Sequence, residues 1–349
     1  MQKRDKLEIN SLTLDNLQTI IGEDQFPRFR AVQIFQWIHK HGINDLDLMS
    51  NLPKDLKEYL QERFRFTVMD QVIKQVSRDG TVKYLFRLYD GRTIEAVMIP
   101  EQSRRTICVS CQVGCAMGCT FCATGKAGFD RNLTSGEICR QIEFISRDWG
   151  EITNIVFMGM GEPFHNYDKV MEAISILNSN AGMNLGWRRF TISTCGLVPK
   201  IYRLANENDQ VGLAVSLHAA DDEKRRSIMP IARAYSLAEL MEACRYYCDK
   251  TGRRITFEYA LIAGFNDSPA DAKNLADLMS GLNCHVNLIP VNPVSAGYER
   301  PPQQVTEGFM NLLSDYQIPT SIRRERGTDI DAACGQLKQS TREDLDEDS

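Results

Sequence analysis

The hydrophobic pattern changes period along the chain. From about residue 11 to 66 apolar side chains recur at helical spacing, as at Phe29, Val32, Ile34, Phe35 and Ile38, with Pro53 where a helix would begin. That spacing predicts a small bundle of short helices. From 72 to 100 the pattern is that of strands, and Val82-Lys-Tyr-Leu-Phe-Arg-Leu88 sits between Asp79-Gly80 and Asp90-Gly91, the turn pairs of hairpins. An antiparallel meander is expected there. Beyond Arg105 strands and helices alternate, which predicts parallel βα units. The expected strands cover 106–110, 152–158, 190–193, 211–217, 255–262, 285–290 and 320–323. Thr134-Ser-Gly-Glu137 and Ser236-Leu-Ala-Glu239 fit the capping box, and Ser268-Pro269 fits an N-cap followed by a first-turn proline. Six βα units and a closing strand are too few for an eight-fold barrel, so an open, partial barrel follows.

Four segments result: a helical accessory unit at 1–70, the β meander at 71–104, the α/β barrel at 105–338 and a tail at 339–349. Composition adds little to this division. With 349 residues, 43% hydrophobic and 25% charged, the chain is a globular protein with one large core. Its net charge of −5 is mostly local, because the five acids and one arginine from Thr341 to Ser349 account for −4. That acidic tail is expected to be disordered. The helical unit has ten Lys/Arg against eleven Asp/Glu, so composition alone shows no electrostatic footprint for nucleic acid. No apolar segment follows Met1-Gln2-Lys3-Arg4, and no run reaches transmembrane length, which points to a cytoplasmic protein without a membrane partner. In a reducing compartment, clustered cysteines mean metal or catalysis, whereas Cys139, Cys195, Cys244, Cys248 and Cys284 are scattered as in core packing.

The cluster is Cys115-Ala-Met-Gly-Cys119-Thr-Phe-Cys122. Three thiolates on a short loop that turns at Gly118 suit an iron-sulfur cluster with one metal position left open. A structural zinc site competes with this, because Cys108, Cys111, Cys119 and Cys122 form two C-x2-C pairs. Position favours the cluster. The cysteine loop, Gly159-Met-Gly161-Glu162-Pro163, Ser193-Thr194, Ser216-Leu217-His218 and Asn292 all fall at the carboxyl ends of expected strands, the rim where βα barrels build active sites. Gly159 and Gly161 there suggest backbone approaching a ligand. By pattern alone Glu95 reads as a solvated strand residue and His218 as a structural histidine.

The spacing Cys115-x3-Cys119-x2-Cys122, with Phe121 before the last cysteine, resembles the radical S-adenosylmethionine superfamily. More closely, the chain is similar to the dual-specificity rRNA/tRNA adenine-C2 methyltransferases. The resemblance runs from about Phe29 to Leu337, through Phe29 to Trp37, Ser110 to Cys122, Arg131-Asn-Leu133, Met158 to Pro163, Ser216 to Ala219, Ile228 to Ile231, Asn287 to Pro290 and Gly327 to Leu337. It implies a partial (β/α)6 barrel of the radical S-adenosylmethionine type. It also implies a [4Fe-4S] cluster on Cys115, Cys119 and Cys122, and S-adenosylmethionine held by Gly161, Glu162, Ser193, Ser216, Leu217, His218 and Asn292.

Adenine C2 is an electron-poor carbon closed to ordinary methyl transfer, so the resemblance implies radical chemistry with two S-adenosylmethionine molecules per turnover. One methylates Cys334; a 5′-deoxyadenosyl radical from the other removes hydrogen from that methyl, and the product radical adds to C2. Glu95 would then accept the C2 proton and Cys108 would attack the sulfur of Cys334, leaving a disulfide. The implied partners are 23S rRNA, tRNA at the adenosine following the anticodon, and an electron donor such as flavodoxin. A monomer is the default. Two alternatives stay open: a sister activity on adenine C8, and a zinc-pinned RNA-binding protein without catalysis. Cys111 and Cys195 depart from the family pattern, where serine is more usual at the first position and serine or valine at the second; an inert Cys111 is the expectation.

Overall fold

The structure, a computed structural model, describes residues 6–208, 210–292, 297–333 and 335–337. The acidic tail and Cys334 lie outside the described residues. At the N-terminal end strand β1 (Leu7–Glu8) precedes helices α1 (Leu14–Glu23), α2 (Phe29–Phe35) and α3 (Lys54–Arg63), and β2 (Phe64–Arg65) returns parallel to β1. The helix α2 continues into a π-helical turn over Gln36–Lys40 that carries His39 into the interior. There His39 Nδ1 lies 2.7 Å from Glu143. The helices are not a detached module. Ile34, Phe35 and Ile38 belong to one continuous core with the barrel strands, and the Gly136 amide donates to Ser11 Oγ at 2.9 Å. A Cβ at Gly136 would stand 2.6 Å from Thr67 Oγ1, so only glycine allows this close docking.

The remaining elements are β3 (Met69–Val76), β4 (Val82–Leu88), β5 (Thr93–Glu101), β6 (Arg104–Cys108), β7 (Gln112–Gly114), α4 (Ala123–Ala127), β8 (Phe129–Asn132), α5 (Ser135–Trp149), β9 (Asn154–Phe157), α6 (Tyr167–Asn178), β10 (Phe190–Thr194), α7 (Val198–Glu207), β11 (Gly212–Ser216), α8 (Asp222–Ile228), α9 (Leu237–Thr251), β12 (Ile255–Leu261), α10 (Pro269–Met279), β13 (Cys284–Pro290), α11 (Gln303–Asp315) and β14 (Thr320–Ile322). All seven expected parallel strands form, in the spatial order β6-β9-β10-β11-β12-β13-β14. The sheet does not close: β14 is one edge and β3 the other, which gives the expected partial barrel. The meander extends the same sheet to ten strands, because β5 pairs antiparallel with β6. One feature differs from expectation. The cysteine loop is enclosed by a hairpin of its own, β7 with β8. Among the described residues no helix is long and apolar enough to cross a membrane.

Three capping boxes start α5, α9 and α10, at Thr134/Glu137, Ser236/Glu239 and Ser268/Asp271. Glu137 does more than cap. It is fully buried and takes two bonds of 2.8 Å from the Arg131 guanidinium, which also donates to Asp90 at 2.6 Å. One arginine thus joins the β4–β5 turn to the start of α5. Glu137→Ala is expected to cost about 3 kcal/mol, since it removes the cap and half-strips a partly buried guanidinium. A denaturant midpoint unchanged from the parent would contradict this.

Candidate active site at the carboxyl ends of the strands

The hairpin sets the cysteine loop. Gly114 has φ +73°, and the site of a Cβ on it lies 2.0 Å from the Gly128 carbonyl, which accepts from the Cys115 amide at 2.7 Å. No other residue fits there. Gly118 turns the loop at φ +65°, and the Thr120 amide donates to Ile228 O at 3.0 Å, tying the loop to the end of α8. The C-terminal segment returns onto the same place. The Ala123 amide donates to Gly335 O at 2.8 Å and Thr124 Oγ1 to Leu337 O at 2.5 Å.

Cys115, Cys119 and Cys122 line a cavity that opens to solvent. Around it stand Gly161, Glu162, Ser193, Ser216, His218 and Asn292. Leu217 is the exception among the expected cofactor residues: its side chain packs in the core, and its carbonyl accepts from Arg225 Nε at 3.1 Å. The glycines also read differently in place. A Cβ on Gly159 would stand 2.7 Å from Val109 O and one on Gly161 2.6 Å from Gln112 Cβ. Both line the cavity, yet the close approach that requires glycine is to the chain's own backbone and side chains.

Glu162 is buried and fixed from three sides. Its carboxylate accepts from the Cys195 amide at 2.8 Å and the Phe164 amide at 3.0 Å, and its own amide donates to Gln112 Oε1 at 2.8 Å. Burial raises its pKa above the usual carboxylate range, against the lowering effect of those bonds. His218 sits at φ +59°, which folds its ring back so that Nδ1 accepts from the Ala260 amide at 2.8 Å. Its ring meets Phe121 edge-on at 4.7 Å. Burial, reinforced by the charge of Arg225, lowers its pKa to about 3. The imidazole is therefore neutral in the fold but protonates in the unfolded chain below about 6.5. Stability is expected to fall as pH drops from 6.5 toward 3, by up to about 1.4 kcal/mol per unit. Denaturation midpoints across that range should flatten in His218→Asn; an unchanged slope would remove His218 from the account.

A second cavity shares Met158, Ile289, Asn292 and Arg323 with the first, and is lined also by Cys108, Arg324, Arg326, Ala333 and Leu337. Arg323, Arg324 and Arg326 line it together with Glu101 and Glu325; Arg326 faces Glu101 at 3.6 Å and Arg323 faces Glu258 at 3.7 Å. Glu95 is not solvated: it is buried at 3% exposure, 3.1 Å from Lys83 Nζ. The ladder pairs Lys83 with Val97 and Val97 with Cys108, which puts Lys83, Glu95 and Cys108 on one face of the sheet. Glu258 and Arg225 were missed in the sequence. Glu258, buried in the first cavity, accepts from Asn287 at 2.9 Å and faces Arg323 at 3.7 Å.

The two C-x2-C pairs come apart. Cys108 lines the second cavity, whereas Cys111 is buried with Sγ donating to Met160 O at 3.6 Å. Burial pushes the Cys111 thiol well above its ordinary value. Among the described residues no three His, Cys, Asp or Glu side chains converge on a single ion, so the zinc arrangement is not formed. The three loop cysteines line one cavity, and a cluster asks each sulfur to meet a separate iron rather than all three to converge on one. Burial drives the Cys115 thiol up to about 12 and Cys119 also upward, so thiolates here would need a bound cation as counter-charge. Nearby, the buried Glu162 carboxylate suits the ammonium of an amino-acid ligand.

Known families and proteins match most of the chain. The family model for the radical SAM superfamily matches residues 109–276, and that for the ribosomal RNA large subunit methyltransferase N-terminal domain matches 7–66. The chain is 48% identical over 344 residues to the probable dual-specificity RNA methyltransferase RlmN of Staphylococcus carnosus, covering 97% of this chain and 94% of the relative. The protein of the same name from Bacillus mycoides is 47% identical over 344 residues, covering 97% and 95%. A crystal structure of a radical SAM methyltransferase from Sphaerobacter thermophilus superposes with a TM-score of 0.91 at 50% identity, covering 95% of this chain and 99% of that one.

Proposed function

Since the chain belongs to the RlmN family of radical S-adenosylmethionine dual-specificity RNA methyltransferases, we propose that it methylates C2 of adenosine in 23S rRNA and in tRNA next to the anticodon. The observation that carries the proposal is the pair of adjoining cavities. The three loop cysteines face one, and Cys108 faces the other beside Ala333, the residue before Cys334.

In this reading Cys115, Cys119 and Cys122 hold a [4Fe-4S] cluster, and Glu162, Ser193, Ser216, His218 and Asn292 hold S-adenosylmethionine. Bound there and reduced, these groups supply a radical able to take hydrogen from an unactivated methyl group. Cys334 carries the methyl carbon, received from one S-adenosylmethionine while a second is used for the radical. The carbon on Cys334, having lost one hydrogen atom, bonds to C2, joining protein and RNA, and the adduct returns one electron to the donor system, such as flavodoxin. Glu95, positioned by Lys83, accepts the C2 proton. Cys108, as thiolate, then attacks the sulfur of Cys334; the bond between that sulfur and the methylene carbon breaks, the carbon keeps the electron pair and takes up a proton to complete the methyl group, and a Cys108–Cys334 disulfide remains to be reduced by two electrons. Arg323, Arg324 and Arg326 draw the phosphate backbone toward the second cavity.

Mapping the methylated carbon in nucleosides from treated RNA tests the proposal, together with the mass of the peptide bearing Cys334. The expected results are 2-methyladenosine and an increment of about 14 daltons, one methylene, on that peptide. An 8-methyladenosine product, or a Cys334→Ala protein that still turns over, would overturn it.

A further inference from the structure

The barrel carries a second polar feature at its opposite rim. On β10, β11 and β12 the inward-facing Ser193, Ser216 and Glu258 line the upper cavity, and Thr191, Gly212 and Thr256 on the same strands line a separate cleft below. Two to four residues of strand, roughly 7–13 Å, separate the layers. The lower cleft opens at the amino-terminal ends of the strands. Three arginines border it: Arg188 from the turn before β10, and Arg253 and Arg254 from the link between α9 and β12.

Among the described residues none of these three guanidiniums has a carboxylate within ion-pairing distance. Neighbouring Arg189, by contrast, faces Glu151 at 3.7 Å. Arg253 reaches the Tyr247 hydroxyl, while its Nε is buried without a hydrogen-bond partner. The rest of the lining is chiefly neutral, with the hydroxyls of Thr191 and Thr256 and the amide of Gln210; the Thr251 hydroxyl already donates to Tyr247 O at 2.7 Å. Gly212 keeps the cleft open, because a Cβ there would stand 3.1 Å from Thr191 Oγ1. Three positive charges that face no carboxylate among the described residues border one concave, polar space, and their mutual repulsion is relieved when an anion enters.

We propose that this cleft binds a phosphate group. Guanidiniums offer forked donors that match phosphate oxygens, and threonine hydroxyls supply the remaining bonds. The phosphate is either part of a free small molecule or a phosphodiester of bound RNA.

Two arms separate these sources, each using the full chain with its cluster. Calorimetric titration with pyrophosphate is expected to show saturable binding that Arg188→Ala and Arg254→Ala, both at exposed positions, weaken about tenfold or more each. Filter binding of an RNA hairpin across a salt series is the other arm. If the ligand is RNA, each substitution lowers the slope of log affinity against log salt by about one and leaves methylation at saturating RNA unchanged. Arg253→Lys, which keeps the charge but not the fork, should weaken the effective arm as well. Loss in either arm supports the site and names its source. Pyrophosphate binding equal in parent and variants, with unchanged salt slopes, overturns it.

Discussion

Cys108→Ala is expected to keep its cluster and its cofactor, to react once, and to stop with RNA bonded to the protein. The expectation follows from where the thiol sits. Cys108 ends β6, is 7% exposed, and faces the second cavity beside Ala333 and Leu337, which flank Cys334 in sequence. If the methyl carbon is delivered on the Cys334 sulfur, that sulfur leaves only when another thiol takes it. Water does not cleave a thioether at a useful rate, so removing Cys108 removes the exit and not the entry. Turnover should fall by about a thousandfold or more, equivalent to roughly 4 kcal/mol. A protein–RNA adduct should persist on a denaturing gel and yield a crosslinked peptide containing Cys334. Cys111→Ala is the internal control: three residues away, buried and bonded to Met160 O, it should turn over like the parent. Multiple turnover by the Cys108 variant, with no adduct, would refute the role.

The chain discloses its parallel strands and helix starts because each is written locally, in an apolar run or a capping box such as Thr134/Glu137. The rim residues follow from those boundaries, which is why most of the cavity wall was legible. What was not legible depends on partners distant in sequence. β7 and β8 are three and four residues long, and their pairing is set by Gly114 meeting Gly128 across the loop. Glu95 was misread because β5 is covered on both faces, with Thr93 to Met98 all buried, so the polar-outward rule of a half-exposed strand fails there. Glu258 had a signal that went unused. In β12 Thr256 and Glu258 alternate with Ile255, Phe257 and Tyr259, and a carboxylate on the inner face of a barrel strand near its carboxyl end is a site position. Arg225 had none, since the neighbouring Lys224 and Arg226 are also basic and only the fold turns one of the three inward.

That arginine is the other residue on which the site should depend most. Arg225 is fully buried in α8, with NH2 donating to Cys195 O at 2.7 Å and Ser216 O at 3.4 Å, and Nε donating to Leu217 O at 3.1 Å. It therefore clamps the carboxyl ends of β10 and β11 together. The same Cys195 whose carbonyl it holds offers its amide to Glu162, and burial, with the same charge adding to it, keeps His218 neutral. Arg225→Met fills a similar volume but leaves three carbonyls without their donor, at an expected cost of about 3–5 kcal/mol. Arg225→Lys should restore little, because one ammonium cannot span three diverging carbonyls. The functional consequence is selective. The loop cysteines stay anchored by the β7–β8 hairpin, so iron content should remain near the parent value while the Michaelis constant for S-adenosylmethionine rises at least tenfold. A melting temperature and cofactor affinity equal to the parent would show that the clamp is not needed. Loss of iron in step with loss of affinity would show instead that Arg225 supports the cysteine loop itself, through the bond between Thr120 and the end of α8.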